Sequence, residues 1–368
     1  MTLTVVLLSF IISLTAIALY WSSYFISPLF YPGKRSLTNT DVYYPVSIII
    51  ICKNEALSIA GIVNQVLNQD YPDFELIVVD DFSTDRTLEI LRSFSDTRLK
   101  VLPAQEDKPG KKNALTQAIN AANFEYILLT DADCSAGSSK WVSSMMQSMR
   151  ANAKNEIVLG FSPMIKHPGL LNRFARYETI MTAIQYGSGA LVGRPYMGVG
   201  RNMMFKKSLF INNGGHQKHL DIASGDDDLF IQSVVSKDNT TINLEAESFV
   251  YTASKNSLLS YLDQKSRHIS TSFFYQRKHQ IYLFLFVVMQ LLFYCSILTA
   301  IIISPQPAAV YSFFLMLKWF IQIICVYTWF SKLKSSNLLL WFPVLDILMM
   351  IYYIVLPVYK ILFYKDKW

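Results

Sequence analysis

Residues Tyr126–Cys134 read YILLTDADC, and the fold turns on how that stretch is understood. The apolar run Tyr126–Leu129 has the character of a buried strand, and it ends in Thr130 and then Asp131-Ala132-Asp133. In an extended segment residues i and i+2 point the same way, so the two carboxylates converge on one spot. A hard divalent cation such as Mg2+ or Mn2+ neutralises such a pair and shares its shell with phosphate oxygens. The bland alternative is a strand end with two solvated acids in a turn, and so short a pattern does not by itself choose.

Working outward, the same design recurs. Val46–Cys52 (VSIIIIC) is a β-branched run suited to a strand covered on both faces, and it ends in Lys53-Asn54-Glu55 before a helical pattern that runs to about Asn68. Tyr71-Pro72-Asp73 turns the chain into a second strand, Glu75–Val79, which ends in Asp80-Asp81. Ser83-Thr84-Asp85 offers the cap of a helix over Arg86–Phe94. A third strand near Arg98–Leu102 leads to Lys108-Pro109-Gly110-Lys111-Lys112 and a helix from about Asn113 to Ala122. Strands alternating with helices imply an α/β, mostly parallel sheet with helices on both faces, and ligands of such sheets sit beyond the carboxyl ends of the strands. Asn54, Glu55, Asp80, Asp81, Asp131 and Asp133 all fall at those ends. After the first strand comes CKNEA, which lacks the glycines of a dinucleotide fingerprint, and no P-loop is present. Phosphate charge is therefore left to a metal and to basic side chains.

Beyond the DAD stretch, Trp141–Ala151 and Asn172–Ile184 read as helices and Ile157–Phe161 as a strand. Met197–Lys206 (MGVGRNMMFK) reads as a loop and short strand, with an exposed Arg201-Asn202, where backbone approaches a ligand. Ala223–Asp228 (ASGDDD) places three acids before the apolar Leu229-Phe230-Ile231. A helix N-terminus accounts for acids there, although three adjacent like charges exceed what a cap needs.

The 368 residues suffice for one large domain or two modest ones; 52% are hydrophobic, and only 16% are charged against roughly 25% in an average soluble protein. The deficit is local. Leu3–Phe25 carries no charge, spans a bilayer in length and lacks the basic n-region and cleavage site of a signal peptide, so it reads as a retained anchor within residues 1–30. Lys34 and Arg35 then place residues 42–256 in the cytoplasm. Residues 257–280 mix aromatics with Lys265, Arg267, His268, Arg277, Lys278 and His279, as a helix or helix pair on the membrane surface would. Residues 281–368 hold about three apolar spans: Ile281–Ser304, Ala308–Phe330 after the Pro305-Gln306-Pro307 turn, and Asn337–Tyr359. The last contains Pro343, Asp346 and Pro357, and as a span it would put Lys360, Lys365 and Lys367 outside, so a re-entrant hairpin or an interfacial helix is the competing reading. Lys318 and Asp346, the charges inside these spans, read as a structural pair or snorkelling residues rather than a transport path. The net charge of +6 is mild and unclustered, which argues against a nucleic-acid partner, and Cys52, Cys134, Cys295 and Cys325 lack metal-ligand spacing.

Together VSIIIICKNEA, ELIVVDDFSTDRT, PGKKNAL, ILLTDADC, GVGRNMMF, SGDDDLF and QKSRH resemble the membrane-anchored inverting glycosyltransferases of family two, over about Val46–His268. The resemblance implies a GT-A nucleotide-sugar-binding fold and a Mg2+ or Mn2+ cofactor. It further implies Asp80 or Asp81 at the base or ribose of a UDP-sugar, Lys111 or Lys112 near the nucleotide, Asp131 on the donor and Asp133 on the metal. Asn54, Glu55 and Arg201 join the donor-binding set. Asp227 is the implied general base, with Asp226 the runner-up if the register slips by one. Gln264, Arg267 and His268 occupy the family's Gln-x-x-Arg-Trp box, which closes over the pyrophosphate; here His stands for Trp, and an Asp stands for the usual Glu of the base motif. The expected reaction moves a hexose or N-acetylhexosamine to a lipid or lipid-linked glycan at the cytoplasmic face of a bacterial inner membrane. A processive polysaccharide synthase and a non-catalytic nucleotide-sugar sensor are the alternatives.

Overall fold

The computed structural model describes residues 2–33, 43–105, 110–217, 222, 224–303 and 308–364. Several residues invoked above lie outside the described ones: Lys34, Arg35, Lys108, Pro109, Ala223, Ser304–Pro307, Lys365 and Lys367. Two units are present, one of Met1–Phe30, His167–Ser188 and Lys255–Trp368, the other of Tyr31–Lys166 and Gly189–Ser254.

In chain order, α1 (Thr2–Ile26) precedes β1 (Val46–Cys52), α2 (Ile59–Leu67), β2 (Phe74–Asp80), α3 (Thr87–Arg92), β3 (Leu99–Pro103) and α4 (Lys111–Ala121). Then come β4 (Tyr126–Asp131), β5 (Cys134–Ala136), α5 (Trp141–Arg150), β6 (Ile157–Leu159), α6 (Leu170–Leu191), β7 (Met203–Lys206), α7 (Lys207–Asn212) and α8 (Asp228–Val234). The chain finishes with β8 (Thr240–Ile242), β9 (Val250–Thr252), α9 (Leu258–Thr271), α10 (Arg277–Ile303), α11 (Ala308–Lys332) and α12 (Phe342–Leu362).

The second unit is built on a seven-stranded sheet of order β3-β2-β1-β4-β7-β6-β8. Its first four strands are parallel, and β7 runs antiparallel to both β4 and β6. Ile48, Ile50, Val78 and Leu128 are fully buried, as a sheet covered on both faces demands. Each such side chain contributes about 1.5–3 kcal/mol of burial. The helix α2 presents Ile59, Ile62, Val63 and Val66, a helical-period stripe, to that core. The register puts Cys52 beside Asp80 and Ile51 beside Asp131, so the polar ends of β1, β2 and β4 finish level at one edge.

Among the described residues, the first unit has four helical segments long and apolar enough to cross a membrane: Leu8–Phe30, Arg277–Ile303, Ala308–Lys332 and Ser336–Leu362. Within it, Lys318 Nζ lies 2.5 Å from Asp346 Oδ2, both side chains being essentially inaccessible. Gln322 Oε1 accepts from the same ammonium at 2.9 Å, and Trp319 Nε1 donates to Asp346 at 3.2 Å. The structural-pair reading of these two charges therefore describes their geometry.

Three local expectations change. The last apolar run is one continuous helix led by the 3-10 segment Ser336–Trp341, not a hairpin; Pro357 sits inside it, as prolines in apolar helices do where neighbours re-satisfy the freed backbone groups. Of the helix or helix pair expected over 257–280, the structure has α9 and the 3-10 turn Ser272–Phe274, while Arg277–Gln280 is the first turn of α10. Finally, the DAD segment is not extended throughout: β4 stops at Asp131, Ala132-Asp133 form a turn, and Cys134 opens β5.

Candidate active site

That turn, rather than strand alternation, brings the DAD acids together. Side-chain ligand atoms of Asp131, Asp133 and Cys134 lie within 4.8 Å of one another. Asp133 is exposed and Asp131 half-buried. Burial and the two nearby carboxylates push the Cys134 thiol up, so it stays protonated, and its Sγ sits 3.7 Å from Asp133 Oδ1. The hard donors here are the two carboxylates, a set that suits a divalent cation sharing its shell with phosphate.

Lys111, at the start of α4, ties the DAD turn to the acids before α8. Its Nζ lies 3.0 Å from Asp131 Oδ1 and 3.2 Å from Asp226 Oδ2. Burial works against the ammonium, but the Asp131 and Asp226 carboxylates outweigh it and raise its pKa. Burial likewise opposes the Asp226 charge, and Lys111 more than offsets that, holding the carboxyl below its ordinary value. Lys112, whose pKa burial lowers, donates from Nζ to the Ile222 carbonyl at 2.6 Å.

Asp227 has a different environment from its neighbour. Its Oδ2 accepts the Gly200 N–H at 2.7 Å and its Oδ1 the Asp228 N–H at 2.8 Å, so it does cap α8. Burial first, then the adjacent Asp228 and Asp226, push its carboxyl up to about 7. Two adjacent acids thus have opposite characters, Asp226 a fixed anion and Asp227 a group poised to exchange a proton near neutrality.

The loops after β1 and β2 lock together at the same sheet edge. Asn54 adopts a left-handed φ of 57°, and its Oδ1 accepts the Thr84 N–H at 2.7 Å. Glu55 accepts from Ser58, and Asp80 accepts the Ser83 N–H at 3.3 Å. Phe82 is also left-handed, with φ 58°, an unfavourable place for a bulky residue, directly after Asp81. Asp81 Oδ1 accepts the Gly110 N–H at 3.1 Å and so joins the end of β2 to the residue before Lys111. Asp81, Lys111, Asp131, Asp226 and the DAD turn therefore form one connected group.

Residues 201–202 depart from expectation. Asn202 is fully buried rather than exposed, and Arg201 is half-buried with its Nε enclosed. The buried role of Asn202, and the Gly200 amide that reaches Asp227, escaped the sequence because their partners lie far along the chain. Gln264, Arg267 and His268 belong to the other unit, on α9, where helical spacing puts them on one stripe. Arg267 and His268 are exposed and Gln264 half-buried. Tyr261, Leu262 and Ser266 form the buried side of that helix.

Residues 47–212 match the family described as Glycosyl transferase family 2. A poly-beta-1,6-N-acetyl-D-glucosamine synthase of Staphylococcus epidermidis is 32% identical over 122 residues, or 32% of this chain and 30% of that protein. A Staphylococcus aureus protein of the same name is 26% identical over 194 residues, or 50% and 44%. The chain thus matches less than half the length of those relatives. Among solved structures, the mannosyltransferase from Pyrobaculum calidifontis, in complex with GDP-Man and Mn2+, is similar over 95% of this chain and 98% of that one. Its TM-score of 0.56 at 16% identity is a likeness of fold. With the sheet order, the strand-end acids and the matched segment in agreement, residues 47–212 are similar to glycosyltransferase family 2 and the sheet has the GT-A fold.

Proposed function

We propose that this protein transfers a sugar, with inversion, from a nucleotide sugar (a UDP-sugar) to a lipid or lipid-linked acceptor at the cytoplasmic face of a bacterial inner membrane. The observation that carries the reading is the Lys111 ammonium held between Asp131 and Asp226, which gathers acids from separate segments beside the carboxyl ends of the parallel strands. Asp131 and Asp133 would hold a Mg2+ or Mn2+ ion, which when bound supplies charge neutralisation for the donor diphosphate. Asp81 and Asp80 close the nucleotide side, with Asn54 and Glu55 shaping its loop and Lys112 and Arg201 adding positive charge. For Gln264, Arg267 and His268 a role at the pyrophosphate rests on their likeness to the Gln-x-x-Arg-Trp box alone.

Asp227 Oδ is the acceptor for the proton leaving the attacking hydroxyl. Its carboxyl, pushed up to about 7, exchanges protons at physiological pH, whereas Asp226 is committed to Lys111 and stays ionised. The bearing of the matched relatives favours a second reading, processive synthesis of an N-acetylglucosamine polymer, since both are named as poly-beta-1,6-N-acetyl-D-glucosamine synthases.

Two measurements test this. Asp227→Asn removes the proton acceptor while preserving shape, so transfer should fall by about 100- to 1,000-fold with donor binding retained; near-normal turnover would dismiss Asp227 as the base. Mass spectrometry of the product then separates the readings, one added sugar supporting the lipid-directed enzyme and a ladder supporting the synthase.

A further inference from the structure

Asn202 belongs to the second unit and ends the 3-10 turn Gly200–Asn202. It is fully buried, and its carboxamide is engaged on both sides. Oδ1 accepts the Trp141 indole N–H at 2.9 Å, while Nδ2 donates to the carbonyls of Phe161 at 3.0 Å and Ser248 at 2.7 Å. Both amide donors are therefore used, and only one acceptor lone pair is left over. Its backbone is tied as well: the Asn202 N–H reaches the Val199 carbonyl at 3.0 Å, and its carbonyl accepts the Gly160 N–H at 2.9 Å. Gly160 makes room for it, since a Cβ at that position would fall 2.3 Å from Asn202 Cγ. One carboxamide thus fastens the 3-10 turn Gly200–Asn202 to α5, to the segment after β6 and to the segment before β9.

The other end of that turn is Gly200, whose N–H reaches Asp227 Oδ2 at 2.7 Å. The fit is close there too, because a Cβ on Gly200 would stand 3.4 Å from Asp227 Oδ2. We infer that Asn202 is a positioning residue for the base, holding the Gly200–Asn202 turn so that the Gly200 amide stays on Asp227. This rests on the reading of Asp227 as the proton acceptor. The charges facing that carboxyl are Asp226 and Asp228 beside it and the Lys111 and Lys112 ammonium groups from α4. Burial and both flanking acids disfavour its ionised form, and the Gly200 donor on Oδ2, together with Lys111, works the other way.

A core asparagine with a purely architectural role would make a different prediction, which separates the two. Gly160→Ala presses a methyl group onto the Asn202 carboxamide without altering any group near the base. Turnover is measured across pH for the purified full chain with saturating donor. The midpoint of the acidic limb should rise by roughly half a unit to one unit relative to the wild type, with the donor KM unchanged. A variant that loses activity equally at every pH, with its midpoint unmoved, overturns the inference. Where Gly160→Ala does not accumulate, Trp141→Phe, which frees Oδ1 alone, should shift the midpoint in the same direction by less; an unmoved midpoint there counts equally against it. Asp227→Asn run alongside keeps the two readings apart, because retained turnover in that variant refutes the base itself whatever Gly160→Ala does.

Discussion

Replacing Lys111 with methionine removes one positive charge and leaves the rest of α4 intact. At 3.0 and 3.2 Å, each of its two ion pairs has a gross Coulomb attraction of about 5 kcal/mol at an effective dielectric of 20. Lys111 is 34% exposed, however, and Asp131 29%, so water and salt cancel most of that. Exposed pairs contribute roughly 0.2–1 kcal/mol, which puts the net cost of losing both at about 0.4–2 kcal/mol. In a domain of this size that lowers the melting temperature by a few degrees, at roughly 2–4 °C per kcal/mol. The informative comparison is the response to divalent cation. In the wild type Lys111 already offsets part of the Asp131 charge, so Mn2+ should stabilise modestly; in Lys111→Met, Asp131 and Asp226 lose that cation and Mn2+ should stabilise more. Thermal unfolding with and without Mn2+ reads this directly. An equal Mn2+-induced shift in both proteins would refute the idea that Lys111 and the cation act on the same carboxylate.

Further predictions follow from the same geometry. With Asp227 as the proposed base, turnover should climb as pH rises through about 7 and be lost below it, because its carboxyl is pushed up to about 7; a profile flat from pH 5 to 8 contradicts this. Asp133→Ala should abolish activity and Mn2+-induced stabilisation together, and a variant that keeps either removes Asp133 from the metal site. In the helical unit, Lys318→Met leaves Asp346 buried without its cation and should cost about 3–5 kcal/mol in detergent unfolding. Pairing it with Asp346→Leu should restore most of that loss, and a double variant no better than the single one would show that the charges are not coupled.

The parallel half of the sheet was legible because VSIIIIC, FELIVVD and YILLTD each announce a buried strand that stops at polar residues. Its antiparallel strand, β7, was less so, since glycines precede it and its partners β4 and β6 come from distant stretches. The acids at the strand ends were visible for the same reason as the strands. What joins them was not: Lys111 lies 20 residues from Asp131 in sequence, and nothing local fixes its reach to Asp226. Asn202 is the clearest case of hidden information. The glycines of GVGRNMMF suggest a loop near a ligand, but the partners that bury the asparagine are 41, 46 and 61 residues away. The turn at Ala132-Asp133 also escaped strand periodicity, although it and an extended segment both bring the two carboxylates together.

The central claim is that one strand-end cluster activates a nucleotide sugar for transfer. Its most direct test is nucleotide release by the purified full-length protein in lipid, supplied with Mn2+ and a panel of UDP-sugars. Acceptor-dependent release from at least one of them is expected, abolished in Asp227→Asn and in Asp133→Ala. Folded wild-type protein that releases nucleotide from none, or variants that release it as fast as the wild type, would contradict it.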